Sequence, residues 1–242
     1  MPTGNRTVDQ AIEAHGGEAR WREVSAIDTS WTFYGTMFKI RLREAQLKDL
    51  HARISTTEPR VVVDPFAGRS ATGTFTPTRL ELVEQDGRIT SLENPRDAFK
   101  RPRTIVWWND LEMLYFAGYV LWNYAQLPFL LLKPGLVIED AGTTRKQGET
   151  WTKVRVTFPA TVPTHSPRQT FYFGPDGLLR RHDYHVGILS RLARGARYIH
   201  ANQVIDGLTL PSRSEIKLGL VGESYAPFPA LGWVEFDGTR VE

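Results

Sequence analysis

The chain of 242 residues contains no cysteine, and that absence removes several possibilities at once. Disulfides, thiol nucleophiles, cysteine-based metal sites and lipid attachment through sulfur are all excluded. An excess of charge of one sign is also missing. The formal net charge is +3, and the basic side chains are interspersed with acids rather than gathered in a run. A nucleic-acid-binding surface leaves a clustered basic footprint, so no nucleic-acid partner is expected. The N-terminus, MPTGNRTVDQ, shows neither the apolar stretch nor the cleavage site of a signal peptide, which makes cytoplasmic localisation the expectation. Familiar catalytic signatures are absent too: Gly-x-Ser-x-Gly, His-Glu-x-x-His, a Walker loop and Gly-x-Gly-x-x-Gly. Hydrolases, kinases and dehydrogenases of standard type are therefore disfavoured, and neither a cofactor nor a metal is implied.

What is there is the composition of a globular protein, 41% hydrophobic and 24% charged. A chain of this length buries roughly 70% of its extended surface and needs no staple. No repeat, low-complexity tract or linker divides it, so residues 1–242 read as a single domain. Residues 1–24 suggest helix, with Thr7 or Asp9 as cap, Gly16-Gly17 as stop and a further turn through Ala19, Trp21 and Val24. His15, in the last turn, reads as a capping or surface histidine.

A first β block spans 25–106. Ile27, Thr29, Trp31 and Phe33 alternate with Asp28, Ser30 and Thr32, and Phe38, Ile40 and Leu42 alternate with Lys39, Arg41 and Arg43. Period two marks strands with one wet face. Four Asp-Gly pairs, at 86–87, 176–177, 206–207 and 237–238, supply the positive φ angles of tight hairpins. Three lie between β-type runs and predict an antiparallel meander that continues through a second β block, 136–242.

Between the blocks lies the central aromatic helix, 107–135, where Asn109 and Glu112 predict a capped start and Pro128 a stop. Met113 to Leu132 carries no charge, which raises a membrane span. Asn123, Gln126 and Pro128 within it, and the need for its flanks to pair in one sheet, argue for burial in protein and against stable membrane insertion. A helix apolar all round is buried all round. A core filled for stability alone would use Leu and Ile, because Tyr and Trp need polar partners when buried. Tyr115, Tyr119, Trp122 and Tyr124 therefore read equally as a plug on the concave side of a sheet or as the wall of a pocket.

His182-Asp183-Tyr184-His185 is the one dense ionisable cluster. His182 and His185 point to opposite faces of a strand, so they do not form a metal site. A two-residue turn at Asp176-Gly177 would place Phe171 opposite His182 and Phe173 opposite Arg180. His182 and Tyr184 would then share a face with the phenylalanines and Asp183 would lie on the other. His182 is either a core histidine or an acid–base group in an aromatic cavity with Tyr184 as donor. His165 and His200 read as structural and His51 as surface.

The leading helix ending in AIEAHGG, the Asp-Gly hairpins, FYFGPDGLLRRHDYHV and the closing VIDGLTLPSRSEI together resemble the LolA-like lipoprotein-carrier superfamily, over most of the chain. Stretches such as LYFAGYVLWNY are similar to those of a bacterial branch without the signal peptide. The resemblance implies an incomplete antiparallel β-barrel whose helices cover an apolar cavity for acyl chains or other hydrophobic ligands. The abundance of rings points to a flatter, polycyclic or polyketide-like guest as much as to a lipid.

The expectation is an α+β, mostly antiparallel protein: a curved sheet with an N-terminal helix and the aromatic helix on its concave face. Its partner is a hydrophobic small molecule held by Trp108, Tyr115, Phe116, Tyr119, Trp122, Asn123, Phe171 and Phe173. The alternative is a cyclase- or isomerase-type enzyme on the same cavity with His182, Asp183 and Tyr184 as catalytic residues. The sequence carries no signal of an oligomeric state.

Overall fold

The computed structural model describes residues 3–41, 47–66, 68, 70–146, 148–188, 193–220, 224–226 and 230–242. Thirteen antiparallel strands form one sheet. The first half contains β1 (Ala26–Tyr34), β2 (Leu50–Ser55), β3 (Val61–Val63), β4 (Ala71–Phe75), β5 (Arg79–Glu84) and β6 (Ile89–Glu93). The second contains β7 (Val137–Lys146), β8 (Glu149–Thr157), β9 (Arg168–Phe173), β10 (Leu179–His185), β11 (Arg194–Ile205), β12 (Leu208–Leu218) and β13 (Gly232–Val241). Each half is a meander of neighbours in sequence, and the two are joined where β1 pairs with β13. Among the described residues β6 and β7 pair on one side only, so the curved sheet does not close.

Alternation builds these strands as expected. In β1, Ile27, Trp31 and Phe33 are buried while Asp28, Ser30 and Thr32 are wetter. At Asp206-Gly207 both residues have positive φ, 47° and 84°, the signature of a two-residue type I′ hairpin joining β11 to β12. The pair at 176–177 works differently. Phe173 stands opposite Leu179, not Arg180, and a bulge before Arg181 restores Phe171 opposite His182. The fourth pair lies inside β13, where Gly238 (φ 58°) accompanies a bulge against Asp28–Ser30.

The read strand around Phe38 and Ile40 is corrected by the structure: Thr36–Lys39 form a helical turn, α3. Gly35, at φ 136° and packed so closely on Gly232 that a Cβ would lie 2.6 Å from its Cα, turns the chain out of β1. Phe38 then inserts between Phe33 and Trp108. Leu42 and Arg43 lie outside the described residues. The end of the first β block is corrected as well, because Pro95–Lys100 and Pro102–Ile105 form 3-10 turns.

At the N-terminus α1 (Arg6–Ala14) is capped by Asn5, whose side chain accepts from the Val8 N–H at 3.1 Å, in place of Thr7 or Asp9. A short α2 (Glu18–Arg22) follows, and its Trp21 stacks on Phe129 at 4.4 Å. His15 caps the end of α1 as read, with Nδ1 2.7 Å from the Ala11 carbonyl, but it is fully buried and not at the surface.

The aromatic helix, α4 (Asp110–Gln126), crosses the concave face and touches β2 to β5 on one side and β12 on the other. Its start is the capping box expected: the Glu112 N–H donates to Asn109 Oδ1 at 2.8 Å, and the Asn109 N–H donates to Glu112 Oε2 at 2.9 Å. Glu112 also takes a forked pair from Arg103 at 2.9 and 2.7 Å, so its buried carboxylate is balanced. Asn109→Ala is expected to cost about 1 kcal/mol, read as a lower denaturant midpoint at unchanged slope. No described helix is long and apolar enough to cross a membrane.

Candidate functional site

Residues 112–126 of α4 are buried without exception. The sheet alone could not hide so many rings unless each polar tip found a partner. The Trp122 indole N–H donates to the carbonyls of Ser55 and Glu58, both at 3.0 Å. Trp108 donates to the Thr104 carbonyl at 2.6 Å and packs on Phe116 at 5.0 Å. Tyr115 accepts from Arg96 at 3.2 Å and packs between Phe75 and Phe99. Asn123 donates to the Pro163 carbonyl at 2.7 Å and Arg96 donates to the Thr164 carbonyl at 3.1 Å. These two bonds pin the loop 163–167 against the helix.

That loop delivers His165 into the core. Tyr119 Oη lies 3.0 Å from His165 Nδ1, and His165 Nε2 lies 3.1 Å from Tyr124 Oη. Tyr124 bonds in turn to Tyr184, whose ring stacks on His165 at 3.9 Å. Behind this chain stands Arg197, fully buried, with its guanidinium 3.9 Å over the Tyr124 ring. It donates to Ser214 Oγ (2.9 Å) and the Tyr124 carbonyl (3.2 Å), while Nη2 has no partner among the described residues. Burial pulls its pKa down to about 10. Burial first, then the Arg96 and Arg197 charges, holds His165 at about 3. Burial likewise lifts Tyr124 to about 12. The chain is therefore neutral near pH 7, beside one cation without a carboxylate.

An apolar cavity of about 150 Å³ opens against this wall. Phe116, Tyr124, His165 and Tyr184 form its inner side. Phe33, Met37 and Ile40 close it from β1 and α3, and Ile216, Leu218 and Gly232 from β12 and β13. Two glycines let rings of the wall lie close on the sheet. A Cβ on Gly195 would lie 2.9 Å from the Tyr184 ring, and one on Gly232 would lie 2.4 Å from the Phe33 ring. The rings lie flat over bare backbone, and the surface presented is almost wholly carbon. A wider groove along α1 sets Arg6, Asp9, Glu13 and Glu18 beside Ile12 and Leu132 and presents more polar surface than this cavity.

Of the residues singled out in the sequence for a pocket, Phe116, Tyr124 and Tyr184 line the cavity. Trp108, Tyr115, Tyr119, Trp122, Asn123, Phe171 and Phe173 are buried in the packing around it. His182 stacks on Phe171 at 4.4 Å and bonds to Gln169, on the concave side as expected. Asp183 lies on the convex side, where Tyr172 donates to it at 2.9 Å and Arg181 pairs with it at 2.6 and 2.5 Å. The three candidate catalytic residues are thus not brought to one point. His165 belongs to the wall although it read as structural, and the rigid Pro163–Pro167 bracket was the one signal for it.

An unclosed antiparallel sheet wrapped around one buried helix, with an apolar cavity at its side, defines the architectural class. No protein-family model and no curated protein matches the sequence. Solved structures do match. One is a LolA superfamily protein from Nitrosomonas europaea, 7% identical over 98% of this chain and 93% of that one, with a TM-score of 0.53. A DUF1329 family protein from Desulfovibrio piger gives 8% identity, 98% and 92% coverage and a TM-score of 0.50. A domain named for outer membrane lipoprotein sorting, from Vibrio parahaemolyticus, gives 9%, 97%, 93% and 0.51. The chain has the LolA-like fold.

Proposed function

We propose that the protein binds a hydrophobic small molecule, lipid-like or polycyclic, and seats one apolar end of it in the cavity beside α4. The observation that carries this reading is the carbon-lined space left between Phe116, Tyr184, Ile216 and Phe33 in a core otherwise filled by interlocked rings. Cores pack to crystal density and leave few voids larger than a water. An apolar cavity of about this volume stays dry and holds a benzene-sized guest. Whole-ligand pockets run to roughly 300–1,000 Å³, so the site suits a ring or a chain end rather than an entire amphiphile. The likeness in fold to LolA superfamily structures supports the same reading.

The test is titration with a naphthalene-based environment-sensitive dye. Saturable binding is expected, and Val186→Trp, which places a ring in the cavity, should weaken it at least tenfold, more than the loss of about 1.4 kcal/mol that a factor of ten represents. Trp122→Phe, on the far side of the helix, should leave affinity unchanged. Unsaturable binding, or full affinity in Val186→Trp, rejects the reading. Of the three residues read as catalytic only Tyr184 lines the cavity, so catalysis of cyclase or isomerase type would have to act through it or through its neighbours Tyr124 and His165. A wall of carbon with its hydroxyls engaged on one another favours binding.

A further inference from the structure

We propose that the rim of this cavity is a docking surface for an anionic lipid membrane, one that seats side chains in the headgroup layer and inserts no helix. The first observation is apolar exposure concentrated in one place. Ile105, Val106 and Trp107 are 57%, 60% and 48% exposed, and Ile40 is 65% exposed. Arg41 ties these two stretches into one surface. Its Nη1 donates to the Met37 carbonyl at 2.8 Å, and its Nη2 donates to the Ile105 carbonyl at 2.5 Å. Elsewhere exposed large apolar side chains are scattered: Val83 and Ile89 face each other across one hairpin, while Val137 and Val204 stand alone on other strands.

The second observation is charge. Residues 36–41 and 100–108 contain Lys39, Arg41, Lys100, Arg101 and Arg103 and no acid. Lys100 and Arg103 have acidic partners in Asp97 and Glu112, and Arg103 also lies over the Trp107 ring at 4.9 Å. A protein partner would be met as well by apolar groups alone. Apolar side chains with an interfacial tryptophan, beside the exposed Lys39, Lys100 and Arg101, fit the headgroup layer of an anionic bilayer. The third observation is position. Ile40 and Arg41 belong both to this surface and to the cavity wall, and Leu218, 40% exposed, continues the rim on β12. A guest leaving a bilayer at this face would pass into the cavity without crossing polar surface. Docking itself does not depend on the cavity being filled.

The experiment is vesicle flotation of the full chain with phosphatidylcholine alone and with phosphatidylcholine containing phosphatidylglycerol. Association with the anionic vesicles only is expected, weakened by salt. Val106→Asp and Arg101→Glu should each weaken it about tenfold or more. Both residues are exposed, so circular dichroism should be unchanged, and both lie off the cavity wall, so dye affinity should be unchanged too. Dye binding that fails while docking persists counts against the guest and not against the surface. Absence of association, equal association with both vesicles, or full retention in both variants overturns the proposal. So does a concentration-dependent dimer abolished by Val106→Asp, which would assign the face to a second copy.

Discussion

Between pH 7 and pH 5 the folded state is expected to lose about 4 kcal/mol or more, a large part of the 5–15 kcal/mol that holds an ordinary domain together. Three histidines cause it. His15 and His165 are buried and hold pKa values of about 4 and 3, chiefly through desolvation. His182, fully buried, is pushed well below the usual value by desolvation and then by the His165 and Arg197 charges. In the unfolded chain each binds a proton near pH 6.5. The folded chain accepts those protons only at much lower pH. The stability attached to each neutral ring is therefore complete above pH 6.5 and is lost as pH falls, at 1.36 kcal/mol per unit. At pH 5 that amounts to about 2 kcal/mol for each of His15 and His165, and His182 adds in the same direction. Denaturant unfolding followed against pH should show an uptake of about two protons or more around pH 5, lower by about one in His15→Gln. A slope of one or less would show that water reaches these rings in the folded state. His165 stacks on Tyr184 and stays neutral in the folded chain down to about pH 3. Bound dye should therefore be released together with unfolding and not before it.

The pattern of strands and turns was legible because it is local. Alternation in β1 and the Asp-Gly turn at 206–207 are set by neighbours in the chain, and so is the Asn109–Glu112 box. The opposite orientation of Asp183 and Tyr184 follows from the two-residue period of a strand and needed nothing else. Phe38 and Ile40 were misread because three apolar residues in alternation fit a short amphipathic turn as well as a strand. The close approach of Gly35 to Gly232, some two hundred positions away, decides between them. The capping place of His15 was legible at the end of its helix, but its burial was not, because that depends on Phe129, against which it packs edge-on at 6.4 Å. The cavity was legible as a likelihood of aromatic walls and not as a location. Its lining comes from separate stretches near 33–41, 116–124, 165, 184–194 and 216–232, which share no motif. The rings of α4 look alike in sequence. Contacts with the sheet decide that Trp122 is a structural anchor while Phe116 faces open space.

Gly118→Leu is expected to be the most damaging single change in α4, and the reason joins the helix to the cavity. A glycine in a helix interior costs about 1 kcal/mol relative to alanine, so its presence calls for a packing cause. The cause is Phe75 on β4: a Cβ at position 118 would lie 2.3 Å from its Cγ and 2.4 Å from its Cβ. Neither atom is the free end of a flexible chain. Gly118→Ala should therefore lose about 1–3 kcal/mol through overpacking despite the better propensity. The leucine variant should exceed that range or fail to fold. Phe75→Ala alone opens a void, yet combined with Gly118→Ala it should recover part of the loss, and a double-mutant cycle measures the coupling. Phe116 lies two residues from Gly118, roughly 200° around the helix. Pushing α4 off β4 therefore drives Phe116 toward the cavity. Gly118→Ala should lower dye affinity by more than its stability loss alone explains. An alanine variant as stable as the parent, with dye affinity intact, would mean that α4 is free to shift on β4 and that the cavity's shape does not depend on this contact.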